Sequence, residues 1–197
     1  IIDSPARPIE PVFIDFNRDV AKDTIRKDIP IYAAANKIDQ LVDMMIYLHK
    51  GSLNDRYLDL ALDYLPYLAT PSMSASAIAR EQYRLGMSLY SSTSEKSTRI
   101  GISCLDETFE ESLALLHHLV NNCQPNEEAL ASLKEQFKKD RRDALNDKNT
   151  LLYSGLYPYA VFGERNWTMN ELTDAEIDAI TSKDLVDRLH DVFGTAH

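Results

Sequence analysis

Histidines are the side chains best suited to binding a metal ion or transferring protons near neutral pH. Of the five in this chain, His117 and His118 are adjacent within a stretch predicted to be helical. Consecutive residues on a helix point about 100° apart, so these two imidazoles cannot face one metal ion. The spacing therefore favours ordinary exposed or edge-of-core histidines. The other three are His49, His190 and His197.

The candidate nucleophiles form no catalytic group through their positions in the sequence. No Ser/His/Asp or Cys/His arrangement arises among residues close in the chain, although a triad assembled from distant residues stays open. Cys104 lies in a strand-like run and Cys123 follows a predicted helix. Whether they pair is left open by this placement, and two buried free thiols are the favoured interpretation.

Charge and glycine content exclude several classes of function. The net charge is −10, whereas nucleic acids and anionic membrane surfaces are bound by Lys and Arg. The cluster from Lys134 to Arg142 is interrupted by acidic residues and is typical of a solvated helix face. The six glycines form no phosphate-binding pattern, and no apolar run approaches the ~20 residues that span a bilayer. We therefore expect neither nucleic-acid binding nor membrane insertion.

A group of aromatic residues late in the chain permits two interpretations. It could line a peptide-holding surface, or it could belong to the core of a helical region. At helical spacing, aromatic residues belong more often to the core, so the core interpretation is favoured. The group comprises Tyr153, Tyr157, Tyr159, Phe162 and Trp167.

Apolar periodicity and turn residues predict the elements of the first half of the chain. Pro5, Pro8 and Pro11 are typical of an extended arm. Two β-rich runs then predict a hairpin, with Asn36-Lys37 between them. A leucine-rich helix and a helix capped by Ser74 follow, and then two further strands. The hairpin runs are Ile29 to Ala35 and Leu41 to Leu48; the leucine-rich helix is Tyr57 to Leu68; the later strands are Met87 to Thr93 and Ser97 to Leu105.

The second half is predicted to be mainly helical. Thr108 and Glu111 have the spacing of a capping box, and Asn126 is a predicted cap of a long helix. A helix is also predicted from Leu151 to about Gly163, and two more capping-box patterns follow at Thr173–Glu176 and Thr181–Asp184. Strands and helices do not alternate strictly. This order favours an α+β fold in which helices cover an antiparallel sheet on one face.

The order of these landmarks resembles the repeated domain of the insulinase/pitrilysin family of zinc peptidases. That family includes the mitochondrial processing peptidases and their bacterial relatives. The resemblance runs from about Pro30 to the C-terminus and implies an antiparallel sheet of about five or six strands with helices packed mainly on one face, the LuxS/processing-peptidase-like fold. The residues that carry it are Gly51-Ser52, Tyr67-Leu-Ala-Thr70, Ser74, Gln124-Pro-Asn-Glu127, Tyr159 to Asn166 and Leu172 to Glu176.

Active members of this family carry H-x-x-E-H on the helix that corresponds to Tyr57–Leu68. Two histidines four apart reach one zinc ion, and the glutamate takes a proton from the bound water. With Thr70 aligned to the helix stop, Leu60 and Tyr64 replace the histidines and Asp63 replaces the glutamate. The third ligand, a glutamate on a later helix, aligns with Arg141. The resemblance therefore implies no catalytic residue, metal site or cofactor in this chain, and we expect Asp63 to be buried and hydrogen-bonded.

The resemblance implies a domain without activity of its own. Residues 1–28 would be an arm and 29–197 a single inactive repeat domain of a bacterial zinc metalloendopeptidase. It would help enclose a peptide substrate while another domain or a paired subunit holds the zinc. The family's substrate-holding Arg/Tyr pair is not matched, since Arg84 and Tyr90 differ from it in spacing. Alternatives are a structural assembly subunit and an enzyme with an unrecognised site. A periplasmic location is favoured over a cytoplasmic one by analogy.

Overall fold

The computed structural model describes residue 11 and residues 13–25, 29–164 and 171–194 of an α+β fold, the predicted class. The strands described are β1 (Ala21–Ile25), β2 (Ile29–Ala33), β3 (Leu41–Leu48), β4 (Ser88–Thr93) and β5 (Thr98–Leu105). The α-helices described are α1 (Leu58–Tyr64), α2 (Ala75–Leu85), α3 (Phe109–Asn122), α4 (Glu127–Ala144), α5 (Lys148–Thr150), α6 (Tyr157–Phe162), α7 (Asp174–Ala179) and α8 (Ser182–Gly194). Short 3₁₀ turns lie at Leu65–Tyr67 and Asp106–Thr108, and a π-helical stretch lies at Leu151–Leu156.

The first two strands form an antiparallel hairpin in which Ala21 pairs with Ala33. This pairing shows that the hairpin predicted between Ile29–Ala35 and Leu41–Leu48 is wrong. The β1–β2 hairpin has one strand on each side of the domain boundary predicted between residues 28 and 29. The chain separates into two compact units that meet between Gln40 and Leu41.

The second unit contains a three-stranded antiparallel sheet in the order β3-β5-β4. Leu41 pairs with Leu105, and Ser88 pairs with Ser103. The predicted single sheet of about five or six strands is therefore wrong for the described residues, which form separate sheets of two and three strands. The strand β5 is central because it pairs with both β3 and β4. Its Ile100 and Ile102 are fully buried, which agrees with the predicted alternation.

The helices of this unit pack on one face of the three-stranded sheet, as predicted. The helix α3 packs on β5, and α1 packs on β4. On the opposite face, the ring of Tyr90 lies over Gly101, so closely that a Cβ atom at Gly101 would clash with Tyr90 Cζ. The Tyr90 hydroxyl then donates to Asp43 on β3. One aromatic side chain thus spans all three strands.

Most of the predicted helix caps are present. The Ser74 hydroxyl accepts from the backbone N–H of Ala77, and Asn126 accepts from Ala129. Thr173 and Glu176 form a reciprocal capping box. The capping box predicted at Thr108 is wrong, because its hydroxyl donates to the carbonyl oxygens at the end of α2 and β5 instead. Side-chain caps of this kind stabilise a helix start by about 1 kcal/mol.

The helix α1 lies at the centre of the core. It packs between the sheet and α8, and its apolar side chains are almost completely buried. Such burial explains why its sequence is leucine-rich on more than one face. The buried residues of α1 are Leu58, Leu60, Ala61, Leu62 and Tyr64.

Candidate degenerate metal site

A cleft of about 490 Å³ opens where α1 meets α4, the β4–β5 turn and residues 171–172. Three of the four predicted degenerate positions lie in it: Leu60, Asp63 and Arg141. Arg141 is 78 positions or more from the other two along the chain. The cleft residues used below are Arg56, Asp59, Leu60, Asp63, Asp140 and Arg141. The fold therefore brings Leu60, Asp63 and Arg141 together in one cleft.

Leu60 forms part of the apolar floor of this cleft. Its side chain is fully buried, and Phe137 and Leu172 also line the cleft. A leucine offers no lone pair to a metal ion or a substrate proton. This position therefore contributes packing to the core rather than chemistry.

Asp59 and Asp63 lie one turn apart on α1 and face the same cleft. Partial burial raises the pKa of both carboxyl groups, and the charge of Asp59 raises the pKa of Asp63 further. Much of the Asp63 side chain remains in contact with solvent, and it makes no hydrogen bond within the described residues. The expectation that it is buried and hydrogen-bonded is wrong. Asp59 did not figure in the sequence argument, although its spacing of four from Asp63 is a signal of a shared helical face.

Arg141 crosses the cleft and holds the chain segment that precedes α7. One guanidinium nitrogen donates to the carbonyl of Leu172 at 2.6 Å and lies 3.3 Å from a carboxylate oxygen of Asp174. The guanidinium also lies over the ring of Phe137, 5.3 Å from its centroid. These contacts give Arg141 a bracing role between α4 and α7.

A second arginine, Arg56, braces the same segment from the start of α1. It forms an ion pair of 2.7 Å with Glu176 and donates to the carbonyl of Glu171. The backbone N–H and hydroxyl of Thr173, together with Arg56, lower the pKa of Glu176 to about 2. Two guanidinium groups thus lie close to the cleft and are held there by acidic and carbonyl partners. No sequence pattern indicated the role of Arg56.

The cleft residues do not fit a catalytic zinc ion. Zinc in enzymes takes three protein ligands, usually with at least one imidazole or thiolate. This cleft offers carboxylates from Asp59, Asp63 and Asp140, and the positive charges of Arg56 and Arg141 oppose a cation. In residues 13–25, 29–164 and 171–194, no group of three or more His, Cys, Asp or Glu residues is placed to hold a metal ion.

Tyr64 does not line the cleft but is buried in the core, where it joins three helices. Its hydroxyl donates to the carbonyl of Asn126 at 2.6 Å. With that proton used, the hydroxyl of Ser182 donates to Tyr64 at 2.5 Å, and the N–H of Asn126 lies 2.9 Å from the same oxygen. Burial raises the pKa of Tyr64. The residue aligned with the second zinc-binding histidine thus ties α1 to the N-termini of α4 and α8.

Two histidines meet possible nucleophiles in the structure, as the sequence left open. His118 Nε2 lies 3.0 Å from the Ser72 hydroxyl and 2.9 Å from the Thr70 hydroxyl. The amide nitrogen of Asn122 faces His118 Nδ1, so the tautomer that suits it places the proton on Nε2. In that tautomer Nε2 is a donor toward the two hydroxyls rather than an acceptor. These contacts fix the turn after α1.

The second pair joins Cys123 and His190, whose Sγ and Nε2 atoms lie 3.5 Å apart. A reactive cysteine needs a thiolate, which a lowered pKa supplies. Here burial raises the pKa of the Cys123 thiol to about 11. Both cysteines are buried free thiols, as favoured from the sequence.

The aromatic group predicted to belong to the core is largely on the surface. Tyr153, Tyr157, Tyr159 and Phe162 each expose more than half of their area. The core interpretation is therefore wrong for these four, and Trp167 lies outside the described residues. Helical spacing indicates that these residues lie on one helical segment. It does not indicate whether another element packs over them.

Solved structures with the same fold include two bacterial proteases and a bacterial peptidase inactive domain. The periplasmic protease PqqL of Escherichia coli matches 98% of this chain with a TM-score of 0.72 and 15% sequence identity. The peptidase M16 inactive domain of Pseudomonas fluorescens matches 87% with a TM-score of 0.70 and 15% identity. A protease of Helicobacter pylori matches 87% with a TM-score of 0.65 and 18% identity.

These similarities confirm the predicted fold, that of the repeated domain in insulinase/pitrilysin-type peptidases. The chain spans 23% of PqqL, 43% of the Pseudomonas protein and 42% of the Helicobacter protein. It therefore corresponds to a part of each. No protein-family model matches the chain, and no curated protein matches it.

Proposed function

We propose that this chain is a non-catalytic domain of an insulinase-family zinc metallopeptidase. It helps form the chamber that encloses the peptide, while another domain of the same peptidase or a paired subunit holds the zinc. The observation that carries the proposal is the cleft at the aligned motif, where a buried leucine, two guanidinium groups and carboxylates replace a zinc-binding set. The fold shared with an M16 inactive domain supports it.

The contribution of this domain is architecture and contact with the peptide. The strand β4 pairs only with β5 among the described strands, and it ends at the cleft. The free side of an edge strand can hydrogen-bond an extended peptide through its backbone groups. The carboxylates of Asp59 and Asp63 at the same cleft suit a peptide with a basic side chain.

The similar structures support the remaining parts of this proposal. Each contains more chain than the region matched here, which is expected if the domain works beside others. PqqL is a periplasmic protease, so we also place the activity of the parent peptidase in the periplasm.

Zinc content and peptide cleavage of the purified chain test the proposal. Elemental analysis after zinc loading and desalting should find far less than one zinc ion per chain. A quenched fluorescent, unstructured peptide should stay intact with and without a zinc chelator. Cleavage that the chelator abolishes would overturn the proposal. Cleavage that the chelator leaves unchanged would instead favour an unrecognised site, and then Asp63→Asn should reduce it while Asp143→Asn, on the exposed face of α4, should not.

Peptide binding separates the proposed function from a structural assembly subunit. Fluorescence anisotropy of a labelled, unstructured basic peptide should show saturable binding to the chain. Asp59→Asn with Asp63→Asn should weaken that binding, whereas the matched pair Asp143→Asn with Asp187→Asn should not. No binding at any accessible concentration would favour the structural subunit.

A further inference from the structure

A helical segment after α4 exposes most of its apolar side chains. We call it the helical arm; it is residues 148–162 and comprises α5, the π-helical stretch and α6 in succession. From Leu151 to Phe162 only Pro158 is buried. The arm therefore receives little stabilisation from packing on the core. Its large apolar side chains are each 45% to 66% exposed: Leu151, Leu152, Tyr153, Leu156, Tyr157, Tyr159, Val161 and Phe162.

The arm is also a poor helix by its own sequence. Helices shorter than ~12–15 residues are marginal in water even when rich in alanine, and most helices in proteins are stabilised by packing of an apolar face. The three pieces of the arm have 3, 6 and 6 residues. Gly155 in its middle has a low helix propensity, and Pro158 has no N–H to donate to the helix. The helical state of the arm therefore has few sources of stability.

The chain on both sides of the arm is held to the core without it. Before the arm, Arg141 on α4 donates to the carbonyl of Leu172, a buried residue that follows the arm. Lys138 on α4 pairs with Asp178 on α7 at 2.9 Å. The helix α8, further along the chain, packs on α1. The arm can therefore open without separating α4 from α7 or α8 from the core.

The helix α2 offers an internal reference, because it carries an exposed tyrosine but is well anchored. Tyr83 is 90% exposed. The N-terminus of α2 is capped by the Ser74 hydroxyl, and its C-terminus ends at the left-handed Gly86. Ile78 and Leu85 of the same helix are buried. Since such packing and caps stabilise a helix, Tyr83 should lie on backbone that stays closed.

We propose that the helical arm is a separate local folding unit and the site at which proteases that prefer aromatic and leucine residues cut the native chain. The arm opens while the three-stranded sheet and the helices packed on it stay folded. Local units with few buried contacts open at a free energy well below that of global unfolding. Proteases cut segments that open, so the cutting rate follows the open population when reclosing is fast. The proposal does not depend on the peptidase role of the domain.

Hydrogen exchange and brief chymotrypsin digestion of the native chain, both followed by mass spectrometry, test this unit. Amides of the arm should show protection factors below about 10, whereas those of α2 and α8 should exceed about 1,000. Chymotrypsin should cut after Tyr153 or Tyr157 at least about tenfold faster than after Tyr83. Both measurements compare backbone opening at exposed aromatic residues, so side-chain exposure alone does not explain a difference.

A variant that stabilises only the helical state links the opening to the arm itself. A Cβ atom at Gly155 would meet no atom within 4 Å, so Gly155→Ala raises helix propensity without adding a contact. It should slow both exchange and cleavage in the arm by about three- to fivefold. The matched control is Gly194→Ala at the end of α8, where a Cβ atom also meets open space. That control should leave both rates in the arm unchanged.

Three results would overturn the local folding unit. The first is protection of the arm amides equal to that of α8. The second is cleavage in the arm that occurs only together with cleavage after Tyr83, since this would show that opening is global. The third is an equal effect of Gly155→Ala and Gly194→Ala on exchange in the arm, because opening would then not depend on the helix of the arm.

Discussion

Replacing Tyr64 by phenylalanine removes one hydroxyl from the point where three helices meet. The ring is fully buried, so phenylalanine keeps the packing. The carbonyl of Asn126 then loses one of its two donors and keeps the backbone N–H of Leu130 at 3.0 Å, whereas the hydroxyl of Ser182 loses its acceptor. The N–H of Asn126 keeps a partner, because Ser182 Oγ lies 2.6 Å from it. One hydrogen bond is therefore lost at Asn126, and one buried polar group, the Ser182 hydroxyl, is left short of a partner.

The expected cost follows from these losses. A buried group left without its partner costs about 1–3 kcal/mol, and the Ser182 hydroxyl can rotate toward another acceptor. We therefore expect Tyr64→Phe to lower the free energy of unfolding by about 2 kcal/mol. For a domain of this size that corresponds to a fall in Tm of roughly 4–8 °C.

Urea and thermal unfolding followed by circular dichroism measure this change. The control is Tyr67→Phe, because Tyr67 is half exposed and has no hydrogen bond within the described residues. Its effect should be within about 0.5 kcal/mol. A double-mutant cycle with Ser182→Ala should show coupling of about 0.5 kcal/mol or more, since the two hydroxyls contact each other. A stability of Tyr64→Phe equal to the wild type, or additive effects in the cycle, would refute the three-helix junction.

Three further predictions concern other groups. Gly101→Ala should force the ring of Tyr90 away from β5 and from Asp43, so the pKa of Tyr90 should fall from about 12 toward 10. ¹³C NMR of the labelled ring measures this pKa, and an unchanged value would contradict the placement of the ring over Gly101. Glu176 has a pKa lowered from 4.5 to about 2, so its contribution to stability is present above pH 4.5 and is lost as the pH falls toward 2. Glu176→Gln should therefore lower the Tm at pH 6 and reduce the further loss of Tm in acid, and parallel Tm–pH curves for the two proteins would reject this. The buried Cys123 thiol should react with a thiol reagent at pH 8 only after denaturation, and fast labelling of the native chain would show that it is accessible.

Local features of the fold could be predicted because they are determined by residues close in the chain. The caps at Ser74 and Asn126 depend on a side chain and an N–H group three residues later. The strand β5 was predictable from alternation alone. Strand pairing was not, because Leu41–Leu48 pairs with Thr98–Leu105, and the paired residues are 50 to 64 positions apart in the sequence. Local patterns indicate that a segment is a strand but do not select its partner.

The candidate site was predictable in part for the same reason. The helical motif placed Leu60 and Asp63 in one cleft, and the alignment added Arg141 from a distant helix. The role of Tyr64 depends on Asn126 and Ser182, which are 62 and 118 residues away, so no spacing rule indicates it. The absence of a hydrogen bond at Asp63 also depends on what surrounds it in three dimensions.

The burial of α1 against α8 has a consequence for synthesis on the ribosome. Tyr64 and its partner Ser182 are 118 residues apart, so α1 is complete long before α8 leaves the ribosome. At ~5–20 residues per second, the interval is roughly 6–24 s. During that time the leucine-rich surface of α1 has no native partner on that side and is open to chaperones and to association with other nascent chains. Slower translation after α4 would lengthen this exposure, and the yield of folded protein should fall with it.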